Sequence, residues 1–372
     1  MVYSEDYKKL VDATALKDKY YEIDERVEEI YKEAFKGCDK LEEIVMPKKL
    51  KKIDSEAFQG CSSLTKLTLP SRVASIGRWA FYGCSGLTEL TLPDTLECIE
   101  AFAFGGCSGL TELTLPNSVK SIGDGAFAYC SGLTKLTLPN ILINIWESAF
   151  EGCSGLTELT LPNSVKSIGR YAFQGCTGLT ELTLPNCVRV VEACAFAYCS
   201  GLTELTLPNS VTRIGNHAFD SCSGITKLTL PNSVKSIGRY AFQGCSGLTE
   251  LTLPNSVKSI GDRAFAYCSG LTELTLPNSV TSIGNCAFGG CSGLTELTLP
   301  NSITSIVDYA FAYCSDLSKI TSLAEIPPMC GFKVFNGVNK TNCELIVPEG
   351  SVAAYTRAED WNKFSNIRGF SK

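Results

Sequence analysis

The hydrophobic residues of this chain recur at fixed places in a unit that is 23 residues long. One unit runs from Cys107 to Tyr129, and the next begins at Cys130 without an insertion or a deletion. The opening cysteine keeps this register at Cys38, Cys61, Cys84, Cys107, Cys130, Cys153, Cys176, Cys199, Cys222, Cys245, Cys268, Cys291 and Cys314. An interval this constant indicates a tandem array of one small structural unit.

Within each unit the pattern predicts one strand and two corners. Hydrophobic and polar residues alternate from Glu112 to Leu115, so Leu113 and Leu115 are expected to point inward and Glu112 outward. Pro116 follows, and a proline cannot donate the next hydrogen bond of a strand ladder. The Pro-Asn-Ser sequence is typical of a turn, and the Ser-Gly pair after each cysteine predicts a second corner.

The rest of the unit returns to the core and closes a flattened coil. Val119, Ile122, Ala126 and Phe127 are the inward-facing residues of this half. A single coil cannot bury them, whereas stacked coils enclose a continuous core. A period of about 20 to 29 residues with a Leu-x-x-Leu-x-Leu core is typical of leucine-rich repeats. We therefore predict a mainly β repeat solenoid, in the form of a right-handed leucine-rich repeat β-solenoid with a cap at each end.

The repeat divides the chain into three regions. Residues 1–37 are predicted to be an N-terminal cap with a degenerate first repeat, residues 38–322 the solenoid, and residues 323–372 a C-terminal capping segment. Charge is crowded at residues 24–29, as expected of a terminal repeat that faces water. Residues 4–13 are expected to be a short helix or a frayed end.

The C-terminal region predicts its own small elements. One further strand is expected at residues 342–348 and a short helix at residues 351–361. The helix would lie over the last coil and cover its exposed sheet edge. Trp361 is interpreted as packing within this cap.

Composition excludes several classes of protein. Hydrophobic residues make up 44% of the 372 residues, which is ample for a core, and the formal net charge is −6. Nucleic-acid-binding proteins usually carry a basic patch, so no nucleic-acid partner is expected. No run of 18 apolar residues is present, so no membrane span is expected. The first ten residues are too polar for a signal peptide, so we expect a cytosolic protein or one whose leader has been removed.

The 19 cysteines are interpreted mainly as core residues. Thirteen occupy one column of the repeat, where a small buried hydrophobic residue fits. Their Cβ vectors should run parallel, which suits a disulfide poorly, so buried thiols are expected. A zinc site needs clustered cysteine pairs and histidines, and His217 is the single histidine. No metal and no cofactor are predicted.

The repeat Cys-x-x-Leu-x-x-Leu-x-Leu-Pro-x-x-Val-x-x-Ile-Gly-x-x-Ala-Phe, present from Cys61 to Phe311, resembles that of the BspA-like leucine-rich repeat proteins. The segments 347–355 and 361–367 resemble the C-terminal segment of this family. The resemblance implies a secreted or cell-surface bacterial protein that binds or adheres to a protein or glycan, including one derived from a host. It also implies no catalytic residues, and leucine strands that line a concave face. A cytoplasmic location is the alternative.

An acidic stripe is expected on the face of the leucine strands. Its members are Glu89, Glu112, Glu158, Glu181, Glu204, Glu250, Glu273 and Glu296. The stripe could attract a basic partner and speed its association. The favoured interpretation is a solvated face, on which interspersed lysines relieve repulsion between like charges.

One position of the unit, two residues after the Ile-Gly step, varies from coil to coil. We call it the variable column, and its members are Trp79, Phe102, Gly125, Ser148, Tyr171, Cys194, His217, Tyr240, Arg263, Cys286 and Tyr309. Trp, Tyr and Arg dominate binding hot spots. We call the surface formed by this column and the residues before it the flank. Its candidate ligand-binding residues are Arg78, Trp79, Phe102, Arg170, Tyr171, Arg239, Tyr240 and Tyr309. Relaxed constraint at an exposed turn explains the variation equally well.

Cys194 and His217 occupy this column in adjacent coils, which would suit a nucleophile and its base. No third residue to orient the histidine is evident from the sequence, so drift at a variable position is the favoured interpretation. The sequence therefore predicts a non-catalytic interaction or adhesion protein. An intracellular repeat scaffold is the alternative, and a Cys-dependent enzyme is a distant third.

Overall fold

The computed structural model describes residues 1–371 and divides the chain into two compact units, Met1–Val188 and Arg189–Lys372. Each unit is a mainly β solenoid, as the sequence predicts, and most regular coils contribute a short parallel strand to each of two faces, on which the strands pair in several separate sheets. The strands of one face mostly carry the recurring leucines and are called the leucine strands. The strands of the other face mostly carry the recurring isoleucine and are called the isoleucine strands.

The leucine strands of the first unit are Tyr20–Glu22, Glu43–Val45, Lys66–Thr68, Glu89–Thr91, Glu112–Thr114, Lys135–Thr137 and Glu181–Thr183. Its isoleucine strands are Lys9–Asp12, Glu29–Ile30, Lys52–Ile53, Ser75–Ile76, Cys98–Ile99, Ser121–Ile122, Asn144–Ile145 and Ser167–Ile168.

The leucine strands of the second unit are Glu204–Thr206, Lys227–Thr229, Glu250–Thr252, Glu273–Thr275, Glu296–Leu299, Lys319–Ser322, Glu344–Pro348 and Asn366–Phe370. Its isoleucine strands are Val190–Val191, Arg213–Ile214, Ser236–Ile237, Ser259–Ile260, Ser282–Ile283, Ser305–Ile306 and Met329–Cys330.

The length of the repeat sets the register of these sheets. Leu113 pairs with Leu136 in the first unit, and Ile214 pairs with Ile237 in the second, so each residue lies beside its equivalent in the next coil. The leucine strands pair in short groups. In the first unit the strand Lys135–Thr137 pairs with Glu112–Thr114, whereas Thr160 in the following coil forms only an isolated bridge with Thr183.

The core of each unit is built from columns of identical side chains. The phenylalanine rings stack nearly parallel, with centroids 4.8 Å apart for Phe35 and Phe58 and 5.3 Å apart for Phe242 and Phe265. Both pairs of rings are fully buried. Stacked aromatic pairs contribute about 0.5–1.5 kcal/mol beyond the burial of their area. The column therefore stabilises each coil against its neighbours.

The cysteine column makes hydrogen bonds that the sequence did not predict. The Sγ of Cys107 donates to the carbonyl oxygen of Phe81 in the preceding coil at 3.3 Å, and that of Cys245 donates to Phe219 at 3.4 Å. Both cysteines are buried, as expected. The thiol is thus a small hydrophobic residue and also a second donor to a carbonyl oxygen that already accepts a backbone N–H, from Cys84 at Phe81 and from Cys222 at Phe219.

The N-terminal residues form a β-hairpin. Val2–Tyr3 pairs antiparallel with Lys9–Asp12, which then pairs in parallel with Glu29–Ile30. The expectation of a helix within residues 4–13 is therefore wrong. No phenylalanine of a preceding repeat is present to accept a hydrogen bond from the Cys38 thiol. The carbonyl oxygen of Ala13 accepts it instead.

The C-terminal residues contain the predicted strand and helix. The strand Glu344–Pro348 pairs in parallel with Lys319–Ser322, and the α-helix Val352–Arg357 follows the 3-10 turn Glu349–Ser351. The last strand, Asn366–Phe370, pairs with Glu344–Pro348 and was not predicted.

Trp361 begins a second 3-10 turn, Trp361–Lys363, and is fully buried, in agreement with its interpretation as a packing residue. Its Nε1 donates to the carbonyl oxygen of Pro328 at 2.8 Å. Its ring lies 5.3 Å from those of Phe335 and Tyr355. No helix within residues 1–371 is long and apolar enough to cross a membrane.

We predict that Trp361→Ala destabilises the second unit by about 3–5 kcal/mol, because it leaves a cavity and an unpaired carbonyl group. Urea denaturation followed by circular dichroism would measure the change. Trp146→Ala is the matched control, since Trp146 is 50% exposed and should cost less than about 1 kcal/mol. Equal effects of the two substitutions would show that the C-terminal segment does not hold the last coils in place.

The cysteine column also predicts a loss of stability at alkaline pH. Burial raises the pKa of the Cys84 and Cys130 thiols to about 12 and that of Cys107 well above its ordinary value. Unfolded thiols ionise near pH 9, so between about pH 9 and 12 the unfolded chain releases protons that the folded chain retains. The contribution of the thiols to the free energy of unfolding should therefore be constant below about pH 8 and should decrease above about pH 9.

A pair of serine variants tests this cause. Removing one buried thiol in Cys107→Ser should reduce the slope of unfolding free energy against pH by up to about 1.4 kcal/mol per pH unit. Cys187→Ser is the matched control, because Cys187 is exposed and lies outside the cysteine column. The same slope in the wild type and Cys107→Ser would rule out buried thiols as the origin of the alkaline sensitivity.

Candidate ligand-binding site

The variable column has an unusual backbone conformation. Its eleven residues all have φ between 52° and 60°, the left-handed region. The residue lies in a tight turn, in which the N–H of Trp79 donates to Ala101 of the next coil and that of Ala80 donates back to Gly77. A side chain in this conformation costs about 1 kcal/mol relative to glycine. Only Gly125 in this column is a glycine.

The structure brings together the predicted arginine–aromatic pairs. The guanidinium carbon of Arg78 lies 4.7 Å from the ring centroid of Trp79. Arg239 lies over the Tyr240 ring at 5.9 Å, and Arg170 over the Tyr171 ring at 5.6 Å. These are cation–π contacts, in which the aromatic rings are half-buried and the guanidinium groups are exposed.

Members of the column also touch their equivalents in adjacent coils. In the first unit the rings of Trp79 and Phe102 are 6.2 Å apart, and the Phe102 ring fills the space beside Gly125 that a side chain there would need. In the second unit His217 stacks on Tyr240 at 4.4 Å. Tyr309 meets Phe332 edge-on at 5.5 Å, although its left-handed equivalent in the next coil is Lys333. In each unit, therefore, some rings of this column pack on a ring of the next coil.

His217 has an orienting partner that the sequence did not reveal. Its Nδ1 lies 2.8 Å from Oδ2 of Asp220, which is only 4% exposed. The expectation that no third residue orients the histidine is thus wrong. The histidine ring packs against Tyr240, and Ser221 Oγ donates to the other carboxylate oxygen of Asp220 at 2.9 Å. Within residues 1–371, no three His, Cys, Asp or Glu residues form a group that could hold a metal ion.

The acidic stripe lies exposed on the leucine strands, where the sequence placed it. Three of its glutamates pair with lysines of an adjacent coil: Glu89 with Lys66 at 2.8 Å, Glu250 with Lys227 at 2.6 Å and Glu296 with Lys319 at 3.1 Å. The other five stripe residues form no ion pair with the described residues. Exposed pairs contribute about 0–1 kcal/mol. This arrangement favours the interpretation of a solvated face.

A gap of about 550 Å³ interrupts the leucine strands of the first unit. It lies between the strand Lys135–Thr137 and residues 157–162, where the ladder of hydrogen bonds is incomplete. Glu112 and Glu158 of the acidic stripe reach its walls. The repeat pattern gives no sign of this gap, because both coils carry the same leucines.

A second left-handed column was missed by the sequence analysis. We call it the tyrosine column, the residue before each repeat cysteine, which is usually glycine. In four coils it is an exposed tyrosine, Tyr129, Tyr198, Tyr267 or Tyr313, with φ between 60° and 62°. These rings are 51–61% exposed. The recurring sequence Ala-Phe-Ala-Tyr-Cys was the signal that could have indicated them.

An apolar patch on one coil was also missed. Ile141, Ile143 and Trp146 are 49%, 48% and 50% exposed. In the coil before, the equivalent places hold Ser118, Lys120 and Gly123. The sequence Asn-Ile-Leu-Ile, where other units have Asn-Ser-Val-Lys, marks this departure.

Comparison with known proteins is consistent with this architecture. The family model for the BspA type leucine rich repeat region matches residues 17–134, 120–249 and 212–342. A leucine-rich repeat protein from Bacteroides ovatus is 28% identical, with a TM-score of 0.71 over 92% of this chain and 88% of that one. A leucine rich cell surface protein from Faecalibacterium prausnitzii is 30% identical, with a TM-score of 0.58 over 82% of this chain and 88% of that one. No curated protein matches significantly.

Proposed function

The chain belongs to the BspA-type leucine-rich repeat family, and from this premise we propose that it is a non-catalytic binding protein that is secreted or displayed at the cell surface. Leucine-rich repeat proteins of this type generally take part in protein interactions. Similarity to the cell-surface protein of Faecalibacterium prausnitzii supports the location. The proposed partner is a protein or glycan, including one from a host.

The observation that carries this proposal is the backbone of the variable column. Large side chains stand there at left-handed positions, although glycine would be more stable by about 1 kcal/mol each. Contacts must offset that cost, and the rings are only half-buried. Their outer faces, with the guanidinium groups above them, remain available to a ligand. Arginine, tyrosine and tryptophan are the residues most often found in hot spots.

The leucine-strand face is a weaker candidate. Its residues are almost the same in every coil, so a ligand could bind in several registers with similar affinity. Lys66, Lys227 and Lys319 also neutralise parts of the acidic stripe. Specificity requires differences between coils, and the variable column supplies them.

The alternative, an intracellular repeat scaffold, depended on whether the thiols need a reducing compartment. The column thiols are buried, and Cys107 and Cys245 are among those that donate to a backbone carbonyl group. Burial keeps them in the unreactive thiol form, so the column is compatible with an oxidising compartment. The cysteine column therefore does not favour an intracellular scaffold over a secreted or cell-surface protein.

The third possibility, a Cys-dependent enzyme, gains an orienting carboxylate at Asp220. The Tyr240 ring covers one face of the His217 imidazole at 4.4 Å. This packing gives the Asp220–His217–Tyr240 cluster a structural role, because it joins two adjacent coils at the variable column. We therefore retain the non-catalytic proposal.

We predict that two flank variants, Arg170→Ala/Tyr171→Gly and Arg239→Ala/Tyr240→Gly, each weaken binding at least about tenfold. A hot-spot side chain contributes about 2 kcal/mol or more. Alanine and glycine already occupy these places at Ala101 and Gly125, so both replacements suit the turn. The probe is whichever protein or glycan the wild type captures from an array of immobilised host glycoproteins and glycans, and surface plasmon resonance measures the affinity.

The matched controls are Glu158→Gln/Glu181→Gln and Glu204→Gln/Glu250→Gln on the leucine-strand face. They should change the affinity less than about threefold, since exposed charges contribute little. Weaker binding by the glutamine variants alone would place the site on the acidic stripe and refute the flank. Absence of any hit on the array, with the protein found in the cytoplasmic fraction of its own cells, would favour the scaffold.

A further inference from the structure

Two exposed tyrosines of the second unit stand on either side of a slot. Tyr267 and Tyr313 are 59% and 61% exposed and belong to the tyrosine column. Gly290 holds the same position in the coil between them. A cavity of about 230 Å³ lies here, with Gly289 and Gly290 in its wall.

Glycine at this place leaves room for the ring of the preceding coil. A Cβ on Gly290 would lie 2.6 Å from Cδ1 of Tyr267, so that ring leans across the glycine. The Tyr313 ring leans in the same way over Gly337, where the corresponding distance is 3.1 Å. The two rings thus lean in the same direction, and each lies over the glycine of the coil that follows it.

The slot offers hydrogen-bond donors and one positive charge. Arg263 and Tyr309 complete its rim, and no carboxylate or carboxamide side chain lines it. In the described part of the chain, Arg263 forms no ion pair, and the Tyr267 and Tyr313 hydroxyls make no hydrogen bond. The carboxylate of the adjacent residue, Asp262, has other partners. Its Oδ2 pairs with Nε of Arg239 at 3.4 Å, and its Oδ1 accepts the backbone N–H of Asn285 at 2.9 Å.

This composition discriminates between ligand classes. A glycan presents many hydroxyl donors, for which carboxylate and carboxamide groups are the strongest side-chain acceptors; the slot has neither and offers only tyrosine hydroxyl oxygens. A proline-rich segment presents carbonyl acceptors and no proline N–H, and its rings pack on aromatic side chains. A positive charge beside the rings complements an acidic residue next to the prolines.

The spacing of the tyrosines also fits such a segment. Tyr267 and Tyr313 are two coils apart. The phenylalanine rings two residues before the tyrosine column step by 5.4 Å and 5.6 Å over these coils, so the two tyrosines are about 11 Å apart. A polyproline II helix advances about 3.1 Å per residue, so two prolines three residues apart are about 9.3 Å apart. The difference is smaller than the width of an aromatic ring, so each tyrosine would face one proline of a Pro-x-x-Pro sequence.

We propose that the slot between Tyr267 and Tyr313 binds a proline-rich segment in the polyproline II conformation that carries an acidic residue close to Arg263. This inference rests on the proposed function, because it assigns a ligand class to part of the same flank. Its test uses a defined peptide and so does not depend on finding the natural partner.

The experiment measures fluorescence anisotropy of the full chain with labelled decaproline that carries one terminal aspartate. Tyr267→Gly and Tyr313→Gly should each weaken binding at least about tenfold, the loss typical of a hot-spot residue. Glycine is native at this place in other coils, including Gly244, so the variants should fold. Gly290→Tyr should also abolish binding, because the new ring fills the slot.

Two further variants test whether the peptide binds at the slot and whether Arg263 contacts its aspartate. Tyr129→Gly removes the equivalent ring of the first unit, whose hydroxyl donates to Glu151 at 2.8 Å, and should leave the affinity unchanged. Arg263→Gln should weaken binding of the aspartate peptide more than that of uncharged decaproline.

Failure of the wild type to bind either peptide would overturn the proposal. Equal losses for Tyr129→Gly and Tyr267→Gly would also do so. Binding of cellohexaose instead of the peptides, lost in Tyr267→Gly, would make the slot a glycan site. If the peptides fail while Arg239→Ala/Tyr240→Gly still loses the array partner, the proposed function stands and the proline-rich ligand is wrong.

Discussion

The parallel pairing of each coil with the next, one repeat further along the chain, is the constraint on which the rest of each unit depends. Because the register equals the repeat length, every residue lies beside its own equivalent, as Leu113 does beside Leu136. A favourable contact in one coil is thus repeated in every coil, and so is an unfavourable one. The stacked phenylalanines are an example of the first kind. The left-handed turns are an example of the second.

The cysteine column shows how this constraint selects a residue type. The position must be small and apolar to fit between coils, and the carbonyl oxygen of the phenylalanine in the preceding coil, which already accepts a backbone N–H, has a lone pair left for a second donor. A cysteine meets both needs, since its thiol is nearly apolar and still donates at 3.1 to 3.4 Å, as Cys222 and Cys245 do. Alanine would lose this second hydrogen bond, and serine would bury a more polar hydroxyl group. The same burial that raises the pKa of these thiols also makes them unreactive.

The flank differs from the core because its columns are not uniform. Both left-handed columns would be most stable as glycine, and the tyrosine column is mostly glycine. Where Tyr240 or Tyr267 replaces it, the ring packs on a neighbouring coil and keeps part of its surface exposed. The backbone stays the same from coil to coil while the side chain changes. This arrangement allows a solenoid to vary its surface without altering its core.

The sequence by itself determined the solenoid, the register and the core columns, because these follow from periodicity and from the alternation of residues such as Leu113 and Glu112. It also predicted the strand Glu344–Pro348 and the helix near Val352. Only the tertiary structure revealed the N-terminal hairpin, the contact between His217 and Asp220, and the left-handed backbone beneath the aromatic residues. Periodicity states which residues are equivalent. It does not state the φ angle at a turn or the direction in which Tyr267 leans, because these depend on how adjacent coils stack.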